Sequence, residues 1–284
     1  MLEEAKWIYS NLEDRNRQGE NQLIPFINYQ KPAPERCLDM LLSKYRGEHY
    51  QTEVVMAKPQ KSRLPVLRKK LSQASVMLIT DGGLVPYRNP DRVPSVNAGG
   101  FYEYPIRGCA TLERDKYEVT HQGYDNSFVK EDPNRLVPVD VMRDLEREGI
   151  IGKLYDSFLT TVGVMVSTGK SVSLGREIAA YVRTLDVDAV IITSVCGTST
   201  RCGANIGMEL EKVGIPVVQI TNLTKIAMDI GVRRIVKGNN VCHPLGAPKL
   251  SDKGEREYRR KIVLTALEEL RIESVDQRGC RIND

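Results

Sequence analysis

Histidine is scarce in this chain of 284 residues, and so are tryptophan and long apolar runs. Three histidines and one tryptophan occur, which leaves little room for a histidine-based metal site, and we expect no bound metal. No apolar run approaches the roughly 20 residues that span a bilayer, so we expect no membrane attachment. The polar, acidic N-terminus lacks the apolar core of a secretory signal, which favours a cytoplasmic protein.

Charge of one sign is not in excess either. The chain has 41 Lys+Arg against 37 Asp+Glu, a net charge of +4 spread over its length. A nucleic-acid binder concentrates basic residues on one face or segment, so we expect no nucleic-acid partner. Hydrophobic residues make up 41% of the chain, close to a globular average, and such a chain buries a sizeable core.

The cysteines form no recognisable framework. The six are scattered, no C-x-x-C pair is present, and Cys196 and Cys202 are six positions apart, which is not a zinc-knuckle spacing. In a reducing compartment such cysteines are free thiols. Cysteine therefore indicates neither a disulfide scaffold nor a zinc site.

The apolar pattern predicts an α/β fold: a mostly parallel sheet with flanking helices, plus an N-terminal helical arm and a long irregular insertion at 86–135. Apolar runs predict strands at 76–79, 159–166, 188–193, 215–220 and 234–236. Helical spacing predicts helices at 35–46, 138–149, 171–184, 203–213, 223–229 and 252–271. We divide the chain into a helical arm and connector (1–70), an α/β domain (71–272) and a flexible tail (273–284).

The segment T-S-V-C-G-T-S-T-R-C-G-A at 193–204 follows the clearest strand and precedes a predicted helix. Ligands bind at the carboxyl ends of strands in α/β sheets, and a helix N-terminus favours a thiolate over a thiol. With Arg201 as a nearby cation, Cys196 is a candidate nucleophile. Thr198 and Ser199 are small neighbours that admit a substrate and donate hydrogen bonds. An equally open interpretation is that Cys196 is a small buried hydrophobe at a strand end.

Nucleotide binding is less favoured, since the loop lacks G-x-G-x-x-G and a Walker lysine.

Further candidates lie in other loops. Asp81 and Gly82 follow the strand at 76–79 in the same way that the Cys196 loop follows its strand. We therefore expect them to line the same crevice as Cys196. His121, Tyr124 and Asp125 offer proton donors and acceptors within the irregular stretch, although a turn with an exposed histidine explains them as well.

His243 is a second loop histidine. It stands beside Cys242 and before Pro244, and a backbone fixed by proline can aim a side chain. A purely structural loop explains this histidine equally well.

The residues at 190–204, V-I-I-T-S-V-C-G-T-S-T-R-C-G-A, resemble the selenocysteine motif of the substrate-activating B component of glycine, sarcosine and betaine reductases. In that motif the selenocysteine is followed by G-T-C-T-R-C-G-A. The resemblance covers about residues 35–270, and the selenoprotein subunit of D-proline reductase is a more distant relative. Further matches are T-D-G-G-L-V-P (80–86), N-P-D-R (89–92), H-x-G-Y-D (121–125), E-D-P-N-R (131–135), P-V-D-V (138–141), I-G-K-L (151–154), H-P-L-G (243–246) and R-R-K-I-V (259–263).

The resemblance implies an oxidoreductase subunit that reductively cleaves a C–N bond of an amino acid or N-methylated amine. In that family the selenolate displaces the amine and keeps the carbon fragment, and here Cys196 takes its place. The resemblance further implies a hetero-oligomer in which a partner subunit carries a pyruvoyl group. A small carrier, selenoprotein A-like or thioredoxin-like, takes over the fragment. This chain itself is expected to bind no cofactor.

Three departures from the family pattern matter. Cys196 is a cysteine where the family usually has selenium, and Ser199 replaces a family cysteine. Cys202 matches the other cysteine, and the resemblance implies a disulfide or thioether-releasing pair with Cys196. Arg201 matches the motif arginine, which suits a bidentate grip on a substrate carboxylate. Family members are much longer, so their N-terminal half is expected to have no counterpart here, and 71–272 resembles their C-terminal half.

Other functions stay open. A D-proline-reductase-like subunit fits the shorter chain, although the G-T-x-T-R-C-G-A pattern favours the glycine, sarcosine and betaine enzymes. A thiol-redox or sulfur-handling protein would use Cys196 and Cys202 without amine chemistry. A non-catalytic scaffold that kept the fold after losing selenium would have an unreactive Cys196.

Overall fold

A computed structural model describes residues 27–53 and 64–272 and the short strand Cys280–Arg281. The chain divides into two compact units, residues 1–56 and 57–284. The predicted arm and connector at 1–70 lie partly outside the described residues, and so does nearly all of the predicted tail at 273–284.

In the first unit the described element is helix α1, Ala33–Tyr45, where the sequence predicted a helix at 35–46. A proline in its first turn suits the helix start, and Gly47 follows its end with φ of 70°. None of its residues is buried.

The second unit is built on a seven-stranded sheet in the order β3-β5-β1-β6-β7-β8-β9. Strand β3 is antiparallel to β5, and the other pairings are parallel. The predicted α/β class with a mostly parallel sheet and flanking helices is confirmed. The strands are β1 Ser75–Thr80, β3 Tyr102–Pro105, β5 Lys153–Thr160, β6 Ala189–Thr193, β7 Val217–Thr221, β8 Ile235–Lys237 and β9 Cys280–Arg281; β2 Leu84–Pro86 and β4 Tyr117–Val119 form a separate antiparallel ribbon.

Helices cover both faces of the sheet. They are α2 Ser127–Glu131, α3 Val139–Arg147, α4 Thr168–Val182, α5 Gly197–Lys212, α6 Thr224–Ile230 and α7 Asp252–Glu269. Val76 and Leu78 of β1 belong to the core under α3 and α7, whereas Met77 and Ile79 belong to the core under α4 and α5. Because successive strand side chains point to opposite faces, a strand between two cores is apolar throughout. Within the described residues no helix is both long and apolar enough to cross a bilayer.

Two predicted boundaries are wrong. The strand predicted at 159–166 is Lys153–Thr160, because its first half, K-L-Y-D-S, has no apolar run to mark it. The helix predicted to begin at Gly203 begins at Gly197. Its first turn, G-T-S-T, consists of poor helix formers, which are tolerated at a helix start and disguise it as a loop. The insertion at 86–135 is less irregular than expected, since β3, β4 and α2 lie within it.

Several of the motifs quoted above meet in one buried ion-pair network rather than at the thiol. Arg259 pairs with Asp132 and Asp140, and Arg135 pairs with Glu255 at 2.8 Å. The backbone N–H of Leu245 donates to the Arg135 carbonyl at 2.9 Å. These contacts tie α7 to the loop that carries His243.

Candidate active site

Cys196 lies at the carboxyl edge of the sheet, directly after β6, and is the N-cap residue of α5. Its carbonyl accepts the Thr200 N–H at 2.8 Å, and its side chain is half-buried. Because α5 begins six residues earlier than predicted, the sulfur lies at the helix N-terminus itself. Free N–H groups and the positive end of the helix dipole favour negative charge at this position.

Two hydroxyl groups of the first helical turn face the sulfur. The Ser199 Oγ atom lies 3.4 Å and the Thr198 Oγ1 atom 3.6 Å from Cys196 Sγ. The Thr198 oxygen also accepts the Met165 N–H at 3.2 Å, which leaves the Thr198 hydroxyl proton free for the sulfur. The sequence-predicted neighbours Thr198 and Ser199 therefore contact the thiol.

His121 reaches the same cluster from the loop after β4. Its Nε2 atom lies 2.7 Å from Ser199 Oγ and 3.9 Å from Cys196 Sγ. Its Nδ1 atom accepts the Gly123 N–H at 2.9 Å. The side chain is fully buried, and burial lowers the pKa of His121 to about 4. His121 is therefore neutral at pH 7 and touches the thiol's neighbours rather than solvent.

Tyr124 and Gly82 lie beside His121. The Tyr124 hydroxyl donates to the Gly82 carbonyl at 3.0 Å, and the Tyr124 and His121 rings are 4.9 Å apart. Burial raises the pKa of Tyr124 well above its usual range, so the phenol stays protonated. This contact joins the loop after β1 to the loop after β4 at the edge of the site.

Asp81 lies beneath the first turn of α5, fully buried. Its carboxyl contacts the Ser194 hydroxyl and accepts the Val195 N–H at 3.4 Å. Burial raises the pKa of Asp81 to about 8, which keeps the carboxyl largely protonated at pH 7. The sequence placed Asp81 at the wall of the crevice, whereas the structure places it underneath as a support for the Cys196 loop.

Three predicted substrate-binding residues make structural contacts. Asp125 is exposed and accepts the N–H of Ser127, the first residue of α2, at 3.0 Å. His243 lies 3.0 Å from the Gly246 carbonyl and packs against Phe128. Arg201 donates to the Val166 carbonyl at 2.6 Å, which ties the loop after β5 to α5. Their roles toward a substrate stay predictions.

Cys202 is fully buried inside α5, and burial raises the pKa of its thiol far above the ordinary range. Six residues of helix rise about 9 Å, whereas disulfide-bonded residues have Cα atoms less than about 7 Å apart. A disulfide between Cys196 and Cys202 would thus require the first turns of α5 to unwind.

Sequence reasoning missed two glycines and a methionine that shape the site. A Cβ on Gly123 would lie 3.2 Å from Cys196 Sγ, and one on Gly163 would lie 2.7 Å from the Ser199 Cα. Met165 has a φ of 60° and is 68% exposed. Two signals were available: Gly123 belongs to the H-x-G-Y-D motif at 121–125, and 161–166 follows β5 at the same sheet edge as Cys196. Within the described residues no cluster of three His, Cys, Asp or Glu side chains could hold a metal.

Comparison with known proteins decides the family. The model of the glycine/sarcosine/betaine reductase selenoprotein B family matches residues 13–195, which is most of the chain and ends one residue before Cys196. The chain belongs to that family. No solved structure matches it.

Relatives with curated names agree with this assignment. The sarcosine reductase complex component B subunit beta of Peptoclostridium acidaminophilum is 41% identical over 88% of this chain and 57% of its own length. The glycine reductase complex component B subunit gamma of Carboxydothermus hydrogenoformans is 43% identical over 84% and 55%. The chain thus spans little more than half of these proteins. The D-proline reductase subunit gamma of Acetoanaerobium sticklandii is 31% identical over 71% of this chain and 80% of its own length.

Proposed function

We propose that this chain is a substrate-activating subunit of a glycine-, sarcosine- or betaine-type reductase complex in which Cys196 is the nucleophile. The observation that carries the proposal is the position of the sulfur at the N-terminus of α5, with the Ser199 and Thr198 hydroxyls at 3.4 and 3.6 Å. The names of the relatives, which are components of such complexes, support it.

The proposed step is a displacement at carbon. The Cys196 thiolate attacks the carbon that bears the amino group, and the C–S bond forms as the C–N bond breaks. The electron pair of the C–N bond leaves with the nitrogen, which departs as the protonated or neutral amine. The carbon fragment stays on the sulfur as a thioether, and no electrons are gained or lost by this chain.

The rest of the reaction is assigned to partners. We propose a hetero-oligomer in the cytoplasm, in which a pyruvoyl group on another subunit supplies the carbonyl chemistry that activates the amine. A selenoprotein A-like or thioredoxin-like carrier attacks the thioether carbon and returns Cys196 as a thiolate. This transfer is a second displacement and changes no oxidation state: the bond from the carrier to the carbon forms as the S–C bond breaks. The electrons that make the overall C–N cleavage reductive come from the thiol carrier, which is oxidised when the fragment later leaves it.

The test is mass spectrometry of the Cys196 peptide. The chain is incubated with its pyruvoyl-containing partner and with glycine, sarcosine or betaine, without the carrier. A mass increment equal to the amine-free fragment is expected on Cys196 with one of the three. The Cys196→Ser variant should show none, and Cys109→Ser, which removes another half-buried thiol, should behave as the wild type. An adduct that persists in Cys196→Ser would refute the proposal.

The share of each relative's length that this chain spans favours a second candidate substrate, D-proline. The chain spans 80% of the D-proline reductase subunit gamma but 57% of the sarcosine reductase subunit. D-proline is therefore included in the same incubation. Because ring opening keeps the nitrogen in the fragment, an adduct with the mass of the whole proline skeleton would identify this activity instead.

A further inference from the structure

Ser199 has two neighbours whose hydrogen-bonding roles are fixed by geometry. Gly123 donates its N–H to His121 Nδ1 at 2.9 Å, so that nitrogen carries no proton in the neutral ring. The single ring proton is then on Nε2. Nε2 lies 2.7 Å from Ser199 Oγ, so His121 is the donor and Ser199 the acceptor in this contact.

Since the Ser199 oxygen accepts from His121, the Ser199 hydroxyl proton is available to the sulfur 3.4 Å away. In the structure Cys196 is a thiol, and its S–H donates to the second lone pair of the same oxygen at 3.4 Å. Loss of the thiol proton turns the Ser199 hydroxyl toward the sulfur. Hydrogen bonds to a charged acceptor are about twice as strong as neutral ones, so the arrangement favours the thiolate.

We infer that Ser199 is a positioning residue that stabilises the Cys196 thiolate by donating a hydrogen bond, and that His121 acts through Ser199 as a fixed neutral donor rather than as a proton acceptor. The inference rests on the proposed function for its catalytic meaning. The proton of Cys196 leaves to solvent, and His121 never carries it.

The surroundings of the sulfur support this assignment. Asp81, Tyr124 and Cys202 lie close enough to interact with Cys196, and burial raises the pKa of each. Burial lowers the pKa of His121. All four groups are therefore largely uncharged at pH 7, so they supply no counter-charge to a thiolate. Among the described residues, the groups at the sulfur that can stabilise a thiolate are the Ser199 and Thr198 hydroxyls, the more distant Nε2–H of His121 at 3.9 Å and the helix N-terminus.

The serine at position 199 also limits the number of reactive thiols at the site. A hydroxyl cannot form a disulfide, and Cys202 is held inside α5, so the folded site offers one reactive thiol. The displacement proposed above needs only one, because transfer of the fragment to a carrier returns the sulfur as a thiolate. The reducing equivalents would then be handled outside this site.

The first test measures how fast iodoacetamide alkylates Cys196 at pH 7, followed by mass spectrometry of its peptide. Ser199→Ala should slow the reaction at least about tenfold, the loss expected for one hydrogen bond to a charged group. The matched control is Ser173→Ala, which removes an exposed hydroxyl on α4 and should leave the rate unchanged. Alkylation of Ser199→Ala at the wild-type rate would overturn the inference.

The second test separates a donor from a proton acceptor at position 121. His121→Gln keeps a neutral amide donor and should react close to the wild-type rate, whereas His121→Ala should be as slow as Ser199→Ala. If His121→Gln is as slow as His121→Ala, proton transfer through the imidazole is required and the assigned role is wrong.

A third measurement needs no change at Ser199 or His121 and decides the matter if those variants do not fold. Three histidines occur in the chain, so ¹⁵N-histidine spectra are readily assigned with His49→Gln and His243→Gln. His121 should show the neutral Nε2–H tautomer between about pH 6 and 8. An imidazolium or an Nδ1–H tautomer would contradict the inference. None of the three tests uses an amine or a partner subunit, so this inference and the proposed function can fail separately.

Discussion

Gly123 lies against the sulfur of Cys196. A Cβ at this glycine would be 3.2 Å from Sγ, 2.7 Å from the Cε1 atom of His121 and 2.9 Å from a methyl group of Val164. The backbone N–H of the same residue fixes the tautomer of His121. Gly123 therefore limits the space beside the Cys196 sulfur, and its N–H determines that His121 donates to Ser199.

Gly123→Ala should slow alkylation of Cys196 at pH 7 by about tenfold or more, because the added methyl group pushes on His121 and on the sulfur. Crowding of this kind costs about 1–3 kcal/mol, so the variant should remain folded. The measurement is the alkylation rate beside thermal unfolding. Gly169→Ala is the control, since a Cβ there meets nothing within 4 Å. Equal rates for the two variants would show that Gly123 does not shape the site.

Ser199→Cys should give the folded site two reactive thiols instead of one. The new sulfur would stand where the Ser199 oxygen lies 3.4 Å from Sγ, so treatment with diamide should join it to Cys196. The measurement is a count of free thiols with Ellman's reagent, followed by peptide mapping. The wild type is the control and should form no Cys196–Cys202 disulfide while folded. If that disulfide forms in the native wild type, a thiol-redox function is favoured, and the claim that the folded site has one reactive thiol is wrong.

Asp81 should make the free energy of unfolding depend on pH. Its pKa is raised from 3.8 to about 8 in the folded chain, so the folded state holds a proton that the unfolded state releases above about pH 4. This contribution is fully present below about pH 4 and is lost as the pH rises toward 8, by at most about 1.4 kcal/mol per pH unit. Urea unfolding at several pH values measures it. Asp81→Asn should remove this part of the pH dependence, and an unchanged profile in that variant would contradict the assignment.

Arg259 should be far more important for stability than its neighbour Arg260. Arg259 is 2% exposed and pairs with Asp132 and Asp140, so Arg259→Leu removes the buried cation that these two carboxylates share and should cost about 3–5 kcal/mol. Arg260 pairs with Glu148 on the surface, and Arg260→Leu should cost no more than about 1 kcal/mol. Urea unfolding of the two variants compares them. Similar losses would mean that the buried network does not hold α7 in place.

The sheet was predictable because its central strands are buried on both faces. Ala189–Thr193 reads as an uninterrupted apolar run for that reason, and a run of this kind ends where α/β folds place their ligands. Strand β5 was misplaced because its exposed and half-buried first residues carry lysine, tyrosine and aspartate. The early start of α5 was missed because its first turn is glycine, threonine and serine, which normally indicate a loop.

The site was predictable in part. Residues 194–204 are contiguous, so the contacts of Cys196 with Thr198 and Ser199 follow from one helical turn. The contact between His121 and Cys196 spans 75 positions, and spacing along the chain carries no signal for it. In the sequence the motif at 121–125 forms one unit, yet the structure separates its members. His121 and Tyr124 point inward, whereas Asp125 is exposed and accepts the Ser127 N–H just before α2.

The most direct test of the account compares one sulfur in two states of the same chain. The rate at which iodoacetamide alkylates Cys196 at pH 7 is measured in the native chain and in the chain unfolded in urea, with mass spectrometry of the same peptide. The account predicts that folding raises the rate at least about tenfold, as expected when a thiolate is stabilised at a helix N-terminus. A native rate equal to or below the unfolded rate would contradict the claim that this fold prepares Cys196 as a nucleophile.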